Sequence, residues 1–298
     1  MLLTKLQSRQ LIHPPPWLPS TTHYLCLMGS VAYGVAGDDS DSDVYGFCVP
    51  PKEMVFPHLA GEIPGFGRQV KRFEQWQEHH IKDESASKEY DFQIYSITKY
   101  FQLCMENNPN MCDSLFVPER CVLHCSAVGN IVRENRKLFL HRGCWGKFRG
   151  YAYGQLHKMS IKSPEEGSKR FESVKKYGFD VKFAYHVCRL IYEVEQILTT
   201  GDLNLESNSE TLKAIRRGEW TEERVIDFFA QKEKALNKAY EESTLPYSPD
   251  EQKIKRLLLD CLEHHFGSLD KAYVEPDRYK NALVEIQDIC TRLQLHRQ

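Results

Sequence analysis

Between Tyr24 and Pro51 the chain has room for a strand, a tight turn and a second strand, and little else. The apolar run Tyr24-Leu25-Cys26-Leu27-Met28 suits a strand. Gly29-Ser30 follows, ten residues intervene, and Asp41-Ser42-Asp43 opens a second run that Pro50-Pro51 stops. On a strand, residues i and i+2 share a face, so Asp41 and Asp43 aim both carboxylates at one spot. Two such charges repel unless a cation lies between them. A hard divalent ion such as Mg²⁺ answers that need, because it takes carboxylate and phosphate oxygens together. A helical turn over Ser30 to Ala36 would present backbone N–H donors to phosphate, and Gly29 lets the backbone come close. The stretch points to phosphate chemistry at a metal.

A chain of 298 residues supports a large core and two domains. No apolar run reaches the roughly 20 residues that span a bilayer, and Met1-Leu2-Leu3-Thr4-Lys5 lacks a signal-peptide core, so a cytoplasmic protein is expected. With 39 basic and 41 acidic residues, bulk coating by Lys and Arg for nucleic-acid binding is excluded, though a local basic patch is not. Ten cysteines in such a chain read as reduced thiols. Cys121-Val122-Leu123-His124-Cys125 lacks a second half at zinc spacing and reads as a buried strand. The adjacent pairs His79-His80 and His264-His265 diverge on a regular strand or helix, and read as surface or packing residues rather than ligands.

The first half has mixed α/β character. Pro14-Pro15-Pro16 ends an amphipathic start, Val70 to Ile81 forms a further strand, and Lys82 to Lys88 a loop. Glu89 to Tyr95 alternates strictly, with Phe92 and Ile94 on one face and Asp91, Gln93 and Tyr95 on the other. The second half is helical: Ala127 to Leu138, Trp145 to Ile161, Val181 to Leu198, Thr221 to Tyr240 and Asp250 to His265. Asp180 and Thr221 are the expected N-caps, and Gly201 the expected stop. The expected fold class is α+β, a small mixed β-sheet domain over 1–125 followed by an α-helical domain over 126–298.

Asp91 faces the polar side of its strand and completes a set of three carboxylates that suits two Mg²⁺ ions and in-line phosphoryl displacement. Rival readings fail on particular residues. Asp39-x-Asp41-x-Asp43 begins like a calcium loop, but Val44 stands where glycine is needed and Pro50 where the bidentate glutamate is needed. No GxxxxGK[ST] occurs, and Ser30 has no GxSxG context.

Gly29-Ser30, ten residues, then Asp41-x-Asp43 resembles the signature of the DNA polymerase beta nucleotidyltransferase superfamily. Gly29-Ser30-Val31-Ala32-Tyr33-Gly34, Ser40-Asp41-Ser42-Asp43-Val44-Tyr45-Gly46, Tyr90-Asp91-Phe92-Gln93-Ile94-Tyr95, Asn107-Asn108-Pro109-Asn110 and the block from Asp180 to Leu190 resemble one branch, the RNA repair pathway nucleotidyltransferases (the RlaP family). The resemblance runs from about residue 25 to 260 and implies a catalytic sheet domain of DNA polymerase beta type with a helical substrate-binding domain. It implies transfer of an NMP, most naturally AMP, from an NTP to a hydroxyl, with release of pyrophosphate. By analogy Asp41 and Asp43 ligate both Mg²⁺ ions (Mn²⁺ being an alternative), Asp91 ligates the catalytic ion and helps deprotonate the attacking hydroxyl, and Gly29 and Ser30 hold the β- and γ-phosphates. Val31 and Tyr45 stand where relatives often carry a basic residue, and Ser42 replaces an apolar one.

Lys182, His186 and Arg189 fall four and three apart and so share one helix face. A solvated face is the plain reading, and with the resemblance they are expected to bind nucleotide or acceptor phosphate. Arg149 and Tyr151 are weaker candidates, and Arg133, Arg136 and Lys137 read as a solvated face. The acceptor expected from the resemblance is an RNA end such as tRNA; a protein side chain or a small-molecule hydroxyl fits the near-neutral charge equally. A non-catalytic, antitoxin-like nucleotide- or RNA-binding module is the rival class, and such a copy would be expected to lose a metal ligand.

Overall fold

The computed structural model describes residues 1–37, 42–161, 166–167, 169–268, 272 and 278–295. Five strands, β1 (Thr22–Leu27), β2 (Ser42–Cys48), β3 (Gln75–Asp83), β4 (Lys88–Ser96) and β5 (Val122–Cys125), form one sheet in the order β3-β4-β2-β1-β5. β2 and β4 are parallel, while β1–β2, β1–β5 and β3–β4 are antiparallel. Together with the helices this is an α+β fold with a helical carboxy-terminal part.

Alternation along the strands divides the core. Leu25, Val44, Cys48, Phe92 and Ile94 face Leu3, Leu6, Ile12 and Leu18 of the amino-terminal segment. Tyr24, Cys26, Phe47 and Tyr95 face the other way, into a core shared with the helices. That core continues from the sheet into the helices Cys144–Ile161 and Val181–Thr200, across the expected boundary at 125–126.

Polar caps set the helix starts. Asp180 accepts from the Lys182 and Phe183 N–H groups, and Gly201 in the left-handed region closes the same helix. Thr221 accepts from the Arg224 N–H at the head of Glu222–Glu242. Asn107, at φ 49°, follows the end of Ile97–Met105, and Asn108 caps Pro109–Phe116 with Pro109 in its first turn. Other boundaries depart from expectation. The Ala127 to Leu138 segment breaks at Asn135 into Ala127–Glu134 and a 3₁₀ turn, Arg136–Phe139. β3 starts at Gln75 and runs on to Asp83, where Arg9 pairs with the carboxylate through two hydrogen bonds. Helices Lys169–Tyr177 and Ser209–Arg216 are short and polar and are not among the helices expected from the sequence.

No helix among the described residues is long and apolar enough to cross a membrane. The ten cysteines are free thiols. The Cys121 to Cys125 stretch is an edge strand rather than a buried one, and Leu123 faces outward.

His265, one of the residues read as packing, ties the helix Glu251–Phe266 to the sheet. Its Nδ1 lies 2.8 Å from His23 Nε2, and His23 Nδ1 lies 2.7 Å from Ser126 Oγ. Burial, with His265, His124 and His264 adding to it, pushes the His23 pKa down to about 4. The ring is neutral in the folded state and gains a proton on unfolding below its ordinary value of 6.5. Stability therefore falls as pH drops from about 6.5 to 4, by about 2 kcal/mol from this group after allowance for its partial exposure. Urea titrations across that window should show the slope, and H23Q should flatten it.

Candidate active site

Parallel pairing places Asp43 of β2 directly opposite Asp91 of β4. Paired residues share a face, so the carboxylates stand side by side, one strand spacing of about 4.8 Å apart at the backbone. They lie on the face that carries Phe47 and Tyr95, toward the helical half. Asp41 lies outside the described residues, as do Asp38, Asp39 and Ser40.

The turn after β1 closes against this pair. Met28 N–H donates to the Asp43 carbonyl at 2.8 Å, which sets Gly29 beside the Asp43 side chain. Gly29 has φ +65°, and a methyl group on its Cα would overlap the carboxylate. Glycine is thus required for both backbone conformation and space. Gly29–Val31 forms a 3₁₀ turn rather than the longer helical turn expected, with Ser30 half-exposed on it.

A bulge in β3 supplies what sequence reasoning missed. Register shifts between Glu78 and Ile81, and His80 takes φ 57°. The His80 N–H thereby donates to Asp91 Oδ1 at 2.7 Å, and His79 Nδ1 lies 3.6 Å from the same oxygen. The histidine pair read as surface residues holds a candidate ligand in place. Regular alternation gave no hint of it, since only the bulge brings the His79 ring and the His80 backbone N–H to one carboxylate, while the His80 ring turns to Glu89. Tyr45, next along this face of β2, is pushed above its ordinary pKa by burial and by the Asp43 charge.

The three expected cations of the helix Val181–Thr200 part company. Lys182 is exposed and His186 half-buried, but Arg189 is buried. Its guanidinium donates to Asp113, to Glu193 and, at 2.7 Å, to the Tyr33 hydroxyl, and lies over the Tyr33 ring. Tyr33 in turn donates to Asp113 at 2.6 Å. Burial pushes Asp113 and Glu193 up while Arg189 opposes it. Burial alone would lower Arg189, and Glu193, Tyr33 and Asp113 together raise it. Arg189 therefore carries its charge beneath the Gly29–Gly34 turn, held by two carboxyls, rather than on an open stripe.

Two further arginines grip the same turn. Arg120 donates to the Val31 carbonyl at 3.0 Å and pairs with Glu206; Arg216 donates to the Val35 carbonyl at 2.8 Å. Nothing in the local sequence marks either, because each acts across a long chain separation. Arg149 lies 3.9 Å from Glu233, and Tyr151 accepts from Asn108, away from the carboxylate pair.

Among the described residues no three His, Cys, Asp or Glu side chains converge as a metal set. Asp43 and Asp91 are two hard-oxygen donors on one face, with a backbone turn too close to admit a side chain between. That donor set would suit a hard divalent cation.

A mixed sheet that sets paired strand carboxylates against a glycine turn is an arrangement that suits nucleotidyl transfer. The family model for the RNA repair pathway DNA polymerase beta family, RlaP, matches residues 18–271, and the chain belongs to that family. A solved structure, a nucleotidyltransferase-like protein from Exiguobacterium sibiricum 255-15, is similar at 12% identity over 88% of this chain and 72% of that one, with a TM-score of 0.29. No curated protein matches.

Proposed function

We propose that the chain transfers an NMP, AMP by preference, from an NTP to a hydroxyl at an RNA end, with release of pyrophosphate. The Asp43–Asp91 pairing, with Gly29 packed on Asp43, is the observation that carries this reading. Asp43 and Asp91, with Asp41, would hold two Mg²⁺ ions, Mn²⁺ being able to replace them. Bound there, the ions supply positive charge to the triphosphate and to the attacking and leaving oxygens. Gly29 and Ser30 offer the β- and γ-phosphates a turn whose carbonyls are already taken by Arg120, Arg216 and the turn's own N–H groups. Lys182 and His186 lie on the helix that packs behind this turn through Arg189, and Lys182 is the exposed cation for the triphosphate. Asp91, oriented by the His80 N–H, takes the proton of the attacking hydroxyl.

The test is incubation with each α-labelled NTP, Mg²⁺ or Mn²⁺, and a pool of cellular RNA and protein. Label on RNA from ATP, with pyrophosphate released, is the expected result. Label on protein or a small molecule would move the acceptor, and no label without pyrophosphate would favour a non-catalytic binding module.

A further inference from the structure

The loop before β3 is built rather than slack. Gln69 Nε2 donates to the Ile63 and Phe66 carbonyls at 3.1 and 2.8 Å, and Glu62 accepts from the Val70 N–H at 2.7 Å. Phe73, edge-on to Trp17 at 4.8 Å between ring centres, pins its far end to the body. The turn so formed holds Phe66 74% exposed, an unusual place for a phenyl ring. The same segment carries Arg68, Lys71 and Arg72, all exposed and, among the described residues, without a carboxylate partner.

β3 continues from this turn toward the carboxylates. Gln75 pairs with Tyr95 and Gln77 with Gln93, so both stand on the face of Asp91 and both are exposed. Tyr95 lies four positions along β4 from Asp91, about 13 Å. An edge strand thus joins an aromatic, basic turn to the reaction centre through a row of neutral hydrogen-bonding side chains.

We propose that this turn and edge strand form the track for a single-stranded RNA acceptor: Phe66 stacks on a base, Arg68, Lys71 and Arg72 neutralise backbone phosphates, and Gln75 and Gln77 hydrogen-bond the strand leading to Asp91. The inference rests on RNA being the acceptor. It explains how a chain of net charge −2 holds a polyanion, since three cations not tied up in ion pairs are gathered in one short segment. Stacking on an exposed ring tolerates any base.

Fluorescence anisotropy with a labelled single-stranded 20-mer, across a salt series, tests it on the full chain. F66A should weaken binding by about 5- to 100-fold. R68Q/K71Q/R72Q should weaken it about tenfold or more and cut the slope of log K against log salt by about 2. Fluorescent ATP should bind all three proteins alike, and their melting temperatures should agree, because every changed side chain is exposed. Wild-type affinity unchanged in both variants, while RNA is still labelled, would overturn the track and leave the acceptor reading intact. No RNA binding or labelling by the wild type would overturn both. Displacement of the RNA by polyglutamate as readily as by poly-U would assign the turn to acidic protein and overturn the track.

Discussion

Asp43→Asn lowers nucleotidyl transfer at least about a thousandfold, about 4 kcal/mol of barrier, without lowering the melting temperature. The amide keeps the shape of the carboxylate against Gly29 and keeps the backbone bond from Met28. It removes one of two like charges that face each other across β2 and β4, so the metal-free protein is relieved of repulsion rather than strained. The loss falls on the negative charge that a divalent cation needs. Label transfer from α-labelled ATP measures the first effect. Thermal melting with and without Mg²⁺ measures the second, with a Mg²⁺-dependent rise in the wild type that the variant largely lacks. Transfer within threefold of wild type would remove Asp43 from the chemistry.

Arg189→Met is expected to cost about 3–5 kcal/mol of stability, read as a lower urea midpoint. The methionine fills the volume but leaves Asp113 and Glu193, both nearly fully buried, without the cation they share. With Arg189 gone, burial pushes both carboxyls up, opposed only at Asp113 by the hydrogen bond from Tyr33. Their folded pKa values then lie above the unfolded ones, so the variant is least impaired at low pH and its deficit grows as pH rises through the carboxylate range. Adding Asp113→Asn and Glu193→Gln should recover part of the loss, because neutral side chains do not need the guanidinium. The Tyr33 hydroxyl loses its donor too, so at a temperature where the variant is folded the KM for NTP should rise. A midpoint within 0.5 kcal/mol of wild type would show that the cluster does not hold the turn.

Local signals carried well where one element decided the outcome. Asp180 and Gly201 bound the longest buried helix because a carboxylate cap and a left-handed glycine satisfy its own ends. Alternation in Tyr90 to Tyr95 placed Asp91 opposite the apolar face, as the core beneath Phe92 and Ile94 shows. Where a residue's partner lay far along the chain, pattern was silent or misleading. Arg189 sits at helical spacing from Lys182 and His186, so periodicity grouped the three. Its charge is spent inside the protein because Asp113 and Tyr33 arrive there from 76 and 156 residues away. The rings of His79 and His80 do diverge, to Asp91 and Glu89, but a single extra residue in β3 also aims the His80 backbone N–H at Asp91, which pattern could not show.

The residues of the strand–turn–strand and their chemical kind are determined by sequence alone: a glycine, and carboxylates two apart, in an order that hydrophobic alternation makes legible. Tertiary structure decided that β2 and β4 pair in parallel with Asp43 facing Asp91, and that buried and surface arginines grip the Gly29 turn from three directions. Alternation specifies which face a side chain takes. Which strand lies alongside, and which distant charge a turn needs, follows from closing long loops around a shared core, and no short window of sequence contains that information.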